Sequence, residues 1–106
     1  MPGMAAGRRP AVWSADSRAD LDEIWRYYER TAGRKTAEKI ARQIGQTVLV
    51  IEEHQLVGRA RNEIRPGLRS LAATPHVVFY RIANNRVEIV RVLVGLRVQV
   101  TTLSRP

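Results

Sequence analysis

The chain has 106 residues, of which 44% are hydrophobic and none is cysteine. This length supports one domain with one modest core, and the lack of cysteine excludes disulfides and thiolate metal sites. The formal net charge is +8, but residues 1–58 carry 9 basic and 8 acidic side chains, whereas residues 59–106 carry 9 basic and 2 acidic. Most basic residues are Arg, which makes forked contacts to carboxylate or phosphate. The second half is therefore expected to attract an acidic partner: a nucleic acid, an acidic protein, or both in turn.

The first nine residues predict a flexible basic arm. The start "MPGMAAGRRPAVW" lacks the apolar run of a secretory signal, and no stretch of the sequence is long enough to span a membrane. Together with the missing cysteines, this favours a cytoplasmic protein.

The first half of the sequence predicts a short strand and a helical hairpin. "PAVWS" (10–14) is typical of a short strand. Four large side chains then follow helical spacing: Leu21, Ile24, Trp25 and Tyr28. Ser14 or Ser17 is the expected capping residue of this helix. "TAGR" (31–34) ends this helix, and apolar residues from Ala37 to Ile51 predict a second one. The short connection predicts that the two helices run antiparallel.

The second half predicts β structure. Residues 52–62 are typical of a polar loop, and 63–73 of short extended pieces around a turn at Pro66-Gly67. "HVVFYRIA" (76–83) and "RVEIVRVLV" (86–94) predict a hairpin joined at Asn84-Asn85, because Asn tolerates positive φ. The expected fold is α+β, in the order β-α-α-β-β-β, with the helical hairpin packed on one face of a small curved antiparallel sheet. We expect a single domain over 10–98 and a C-terminal tail over 99–106.

Three segments together resemble the ParE toxins of type II toxin–antitoxin systems, which belong to the ParE/RelE superfamily. They are "ADLDEIWRYYER", "GR…NEIRPGLRSL" and "HVVFYRIANNRVEIVRVLVGLR". The resemblance covers residues 11–97 and implies a RelE/ParE-like fold. It implies a toxin that poisons DNA gyrase and is held inactive by a ParD-like antitoxin. It also implies that DNA is contacted only indirectly, through the antitoxin.

The C-terminal motif departs from the family pattern. ParE toxins commonly carry "VLHGxRD", whereas residues 92–98 here read "VLVGLRV", with Val94 in place of His and Val98 in place of Asp. This departure supports an alternative hypothesis, a non-toxic remnant that still binds antitoxin. RelE-like relatives cut mRNA on the ribosome, which gives a second alternative.

The composition favours binding over catalysis. RNA cleavage needs a general base, a general acid and a cation. The RNase alternative would use Arg65, Arg81 and Tyr80, but the tyrosine is better interpreted as a strand aromatic with a satisfied hydroxyl. Two His and no Cys do not form a metal-ligand cluster, so no metal and no cofactor are expected. The chain is therefore predicted to be a binding protein rather than an enzyme.

Candidate contact residues follow from charge and shape. Trp25 and Tyr28 are either antitoxin anchors or internal packing, and the sequence favours neither. Arg61, Arg65 and Arg69 could pair with antitoxin carboxylates or lie on a solvated face. Arg91 and Arg97 are candidates for binding the target, although Arg91 could instead pair with Glu63. The expected recognition modes are a partner helix in an apolar groove and a strand added to the sheet edge.

Overall fold

The computed structural model describes residues 9–95, so the predicted tail and most of the predicted arm lie outside it. The described chain forms two helices and five strands in the following order: β1 (Val12–Trp13), α1 (Ala15–Ala32), α2 (Arg34–Glu53), β2 (Arg59–Ala60), β3 (Arg69–Ala73), β4 (His76–Ala83) and β5 (Arg86–Val94). Both helices lie on one face of the sheet, which confirms the predicted α+β class. Gly33, at φ 95°, ends α1 and starts α2, as the "TAGR" break predicted.

The sheet is mixed rather than wholly antiparallel. Its strand order is β1-β5-β4-β3-β2, and β1 pairs in parallel with β5 while the other pairs are antiparallel. Hydrophobic periodicity predicts a strand but does not report its direction, so the parallel pair was missed. The strand β2 was missed because two residues are too few to show alternation. The piece before Pro66 is a hydrogen-bonded turn, with the Ile64 amide donating to the Arg61 carbonyl at 3.0 Å, rather than extended chain.

The main core lies between the sheet and α2. Ile44, Val48 and Ile51 repeat at helical spacing and are buried against β4 and β5. Their partners include Val78 and Tyr80, which share one face of β4 because alternate residues of a strand point the same way. The amphipathic pattern predicted for the second helix is therefore confirmed.

A smaller apolar cluster covers part of the opposite face of the sheet. It contains Ile64, Leu68 and Phe79, with Val90 half-buried beside them. The pairing of β4 with β5 shifts at Phe79/Tyr80, which leaves Val90 as an extra residue in β5. The almost unbroken apolar run in β5 follows from the two clusters, because one face of the strand packs in the main core and the other against the smaller cluster.

The start of α1 closes the outer edge of β5. The Ser14 hydroxyl accepts a hydrogen bond from the Ser17 amide at 3.0 Å, so Ser14 is the helix cap. The same hydroxyl donates to the Val90 carbonyl at 2.9 Å, and the Ser14 amide donates to the Ile89 carbonyl at 3.0 Å. At the far end of the β4–β5 hairpin, the predicted turn is confirmed, with φ values of 54° and 60° at Asn84 and Asn85.

Candidate functional site

The hydroxyl of Tyr80 is committed to holding the loop that follows α2. Tyr80 is fully buried, and its hydroxyl donates to the Gln55 carbonyl at 2.7 Å and accepts from the Gly58 amide at 2.8 Å. A Cβ at position 58 would lie 2.6 Å from the tyrosine ring, so only glycine fits there. The prediction of a strand aromatic with a satisfied hydroxyl is confirmed, and Tyr80 has no contact with solvent through which it could protonate a substrate.

The other two residues of the RNase alternative do not converge with Tyr80. Arg81 lies on the opposite face of β4 and forms an ion pair with Glu88, its cross-strand neighbour. Arg65 lies in the turn before β3, where it is half-buried and already has an interaction partner. Arg81 also borders a shallow depression of about 350 Å³ that includes Arg9 and Arg86.

The predicted antitoxin contacts Arg61 and Arg69 both have internal partners. Arg61 Nε donates to Glu63 at 2.7 Å, and this hydrogen bond holds the pKa of the Glu63 carboxyl below its usual range. Arg69 donates from Nε to the Gly58 carbonyl and from Nη2 to the Leu56 carbonyl, both at 3.0 Å. Arg69 therefore helps to shape the loop that follows α2, whereas Arg61 bonds to Glu63 and Ser70, whatever else these arginines contact.

The same loop presents two apolar side chains that sequence reasoning missed. Leu56 is 70% exposed and Val57 is 45% exposed. The available signal was an apolar pair inside the polar segment "EEHQLVGRARN" (52–62), which was assigned to a loop without regard to the pair.

The aromatic residues of α1 are divided between the surface and the interior. Tyr28 is half-buried, and its ring meets the buried ring of His76 edge-on at a centroid distance of 5.9 Å. Burial lowers the pKa of His76. Tyr27, which the sequence did not single out, is 52% exposed and lies edge-on to Tyr28 at 5.1 Å. Trp25 is half-buried, so of these aromatics Tyr27 presents the largest exposed fraction.

Arg91 forms a two-pronged ion pair with Asp20 of α1. Its Nε and Nη2 lie 2.7 and 2.8 Å from the carboxylate oxygens, and the Val92 amide donates to the same carboxylate at 2.9 Å. The hydrogen bonds that Arg91 donates to the Asp20 carboxylate raise the pKa of Arg91. The suggested pairing of Arg91 with Glu63 is wrong, because Glu63 pairs with Arg61. The other predicted target contact, Arg97, lies outside the described residues.

A groove of about 440 Å³ runs between α2 and β3. Its α2 wall includes Thr47 and Val50, and its β3 wall runs over residues 71–74. β2 pairs only with Arg69 and Ser70. In the part of the chain that the structure describes, no strand covers the outer edge of β3 beyond these two residues. The groove therefore combines a free strand edge with a partly apolar helix face.

Within residues 9–95, no group of three or more His, Cys, Asp or Glu side chains is placed to hold a metal ion. No helix in the same range is long and apolar enough to cross a membrane.

Comparison with known proteins places these features in a family. The family described as "ParE toxin of type II toxin-antitoxin system, parDE" matches residues 11–98. Toxin ParE1 of Caulobacter vibrioides is 42% identical over 85 residues, which is 80% of this chain and 88% of that protein. Toxin ParE1 of Mycobacterium tuberculosis is 36% identical over 81 residues, which is 76% of this chain and 83% of that protein.

One solved structure shares the fold. It is described as "Chromosomal ParDE TA system from P. aeruginosa" and superposes with a TM-score of 0.72. The match covers 83% of this chain and 97% of that chain at 24% sequence identity. Two helices packed on a mixed open sheet are therefore common to both chains.

Proposed function

Since this chain belongs to the ParE toxin family of type II toxin–antitoxin systems, we propose that it inhibits DNA gyrase and is neutralised by a ParD-like antitoxin. It acts by binding, not by catalysis. In the intact complex, contact with DNA is made by the antitoxin. The toxin and its partner act in the cytoplasm.

The observation that carries this proposal is the burial of Tyr80. Its hydroxyl is occupied by Gln55 and Gly58, so it is not available as a general acid. The two acids of the basic half, Glu63 and Glu88, are each paired with an arginine. An inhibitor needs none of these groups, because it stops an enzyme by binding one conformational state more tightly than the others.

The groove between α2 and β3 supports antitoxin binding. The ParD-like segments expected from the resemblance are acidic and amphipathic. Such a segment would add a strand to the outer edge of β3 and lay apolar side chains against Val50, which is 40% exposed. The opposite side of the sheet is less suitable, because β1 already pairs with β5, and Ser14 and Asp20 bond to the same edge of that strand. The antitoxin's carboxylates would reach the arginines that precede β3.

A gyrase supercoiling assay with the purified chain tests the proposal. The comparison is a variant that carries Val94→His and Val98→Asp, which restores the two family residues. Inhibition by the wild-type chain supports the proposed target and shows that these groups are dispensable. Inhibition by the restored variant alone identifies the chain as a disarmed toxin whose remaining function is to bind antitoxin.

Failure of both proteins to inhibit gyrase would refute the proposed target. The next measurement would then be primer extension on mRNA in a translating extract, which detects cleavage by a RelE-like RNase. Because Tyr80 is internal, cleavage that depended on its hydroxyl would also contradict the binding mechanism.

A further inference from the structure

The loop between α2 and β2 exposes two adjacent apolar side chains, Leu56 and Val57, to solvent. Leu56 has the largest exposed fraction, 70%, among the large hydrophobic side chains of residues 9–95, and the next residue in the chain, Val57, is 45% exposed. Single exposed apolar residues are common on protein surfaces. This pair differs because the backbone that carries it is fixed on both sides.

Two side chains from the sheet fix that backbone. Arg69 donates to the carbonyl of Leu56 itself and to that of Gly58, each at 3.0 Å. Tyr80 bonds to the carbonyl of Gln55 and the amide of Gly58, at 2.7 and 2.8 Å. Four hydrogen bonds thus hold residues 55–58. An apolar contact on a fixed backbone loses little conformational entropy when it binds.

The surroundings of the pair are basic. Residues 54–69 contain four arginines and one acid, Glu63, which is paired with Arg61. Arg59 is exposed and lies two positions after Val57. A complementary surface is therefore apolar where it meets Leu56 and acidic around the rim. Nucleic acids fit this pattern less well, because their bases are bound by aromatic side chains rather than by aliphatic ones.

We propose that Leu56 and Val57 form a preorganised contact that enters an apolar pocket, rimmed by carboxylates, on the protein that the toxin inhibits. The inference rests on the proposed function in one respect, that the chain acts by binding a protein target. The loop lies at the Arg69 end of β3, whereas the groove proposed for the antitoxin lies at residues 71–74. The two partners would thus use different ends of the same strand, with the arginines that precede β3 within reach of both.

The test substitutes Leu56→Gln and compares it with Leu49→Gln. Leu49 is 44% exposed on α2 and does not line the groove, so it is a control of the same residue type and substitution. Leu56→Met keeps an apolar side chain and serves as the conservative variant. Each protein is expressed in bacteria, with growth arrest as the readout, and each is purified for the gyrase supercoiling assay and for thermal unfolding.

We expect Leu56→Gln to reduce growth arrest and to raise the half-inhibitory concentration by at least about tenfold, as loss of one buried aliphatic contact implies. Leu49→Gln and Leu56→Met should behave like the wild type, and all three variants should unfold at nearly the wild-type temperature. If Leu56→Gln abolishes arrest but wild-type chain does not inhibit gyrase, the contact stands and the gyrase target fails.

Three results would overturn the inference. The first is full growth arrest by Leu56→Gln. The second is a Leu56→Gln variant that still arrests growth but is no longer neutralised by a ParD-like antitoxin that neutralises the wild type. That result would make the loop an antitoxin contact. The third is no arrest by the wild-type chain, since there would then be no inhibited target for the loop to contact.

Discussion

The ion pair between Asp20 and Arg91 is expected to destabilise the fold when one of its partners is removed. It joins α1 to β5 across 71 positions of sequence, and Asp20 also accepts the Val92 amide. The substitution Asp20→Asn keeps the size of the side chain and one oxygen for that amide. It removes the charge, so the Arg91 guanidinium remains in place without its counterion.

The size of the effect follows from the burial of the two groups. Removing one partner of a fully buried ion pair destabilises a protein by about 3–5 kcal/mol. Here the side chains of Arg91 and Asp20 are 22% and 11% exposed, so water solvates part of the remaining charge. We therefore expect Asp20→Asn to lower the free energy of unfolding by about 2–3 kcal/mol. In a domain of this size that corresponds to a fall in Tm of about 10–20 °C.

Urea denaturation followed by tryptophan fluorescence measures this loss, since Trp13 and Trp25 lie in β1 and α1. Asp22→Asn, an exposed change on the same helix, is the control and should alter stability by less than about 0.5 kcal/mol. A double-mutant cycle with Arg91→Met isolates the pair. The reasoning would be refuted by a coupling energy near zero, or by a loss in Asp20→Asn no larger than in the control.

Three further predictions concern the packing of the described chain. Tyr80→Phe leaves the Gly58 amide and the Gln55 carbonyl without their partner, so urea denaturation should show a loss of about 1–3 kcal/mol, and an unchanged midpoint would contradict the assignment. Gly58→Ala places a Cβ 2.6 Å from the tyrosine ring and should destabilise by about 1–3 kcal/mol, whereas Gly45→Ala, in an open position within α2, should stabilise by about 0.5–1 kcal/mol. Burial lowers the pKa of His76, so the unfolded chain binds a proton more readily, and the free energy of unfolding should fall as pH drops below about 6.5. His76→Gln should remove that part of the pH dependence. If the free energy of unfolding changes with pH equally in wild type and variant, other groups cause the dependence.

Local features of the fold could be predicted because each depends on residues that are close together in the sequence. The repeat from Ala37 to Ile51 predicted α2 and its buried face, and the pair Asn84-Asn85 predicted the hairpin turn. The satisfied hydroxyl of Tyr80 was predicted from its strand context, since a buried phenol must find a partner. Its partners were not predictable, because they lie 22 and 25 positions away.

The features that were missed depend on long-range geometry. Nothing near Arg91 indicates Asp20 as its partner, and the nearly continuous apolar run of β5 hid the bulge at Val90. The exposed pair at Leu56 was missed because exposure depends on what the fold leaves uncovered. Arg61 and Arg69 were selected for their charge, whereas the fold also uses them to hold backbone and neighbouring side chains.

The parallel pairing of the first strand with the last also bears on how the protein forms. Val12 pairs with Glu88, and the Ser14 hydroxyl reaches across 76 positions to Val90, so the native sheet has high contact order along one of its edges. Chains dominated by such pairings fold in milliseconds to seconds rather than microseconds. During synthesis, the N-terminal strand must wait for β5 before its edge can close. A newly made toxin would thus become competent only once β5 is available to β1, and stopped-flow refolding followed by tryptophan fluorescence, to which Trp13 of β1 contributes, would report this final step.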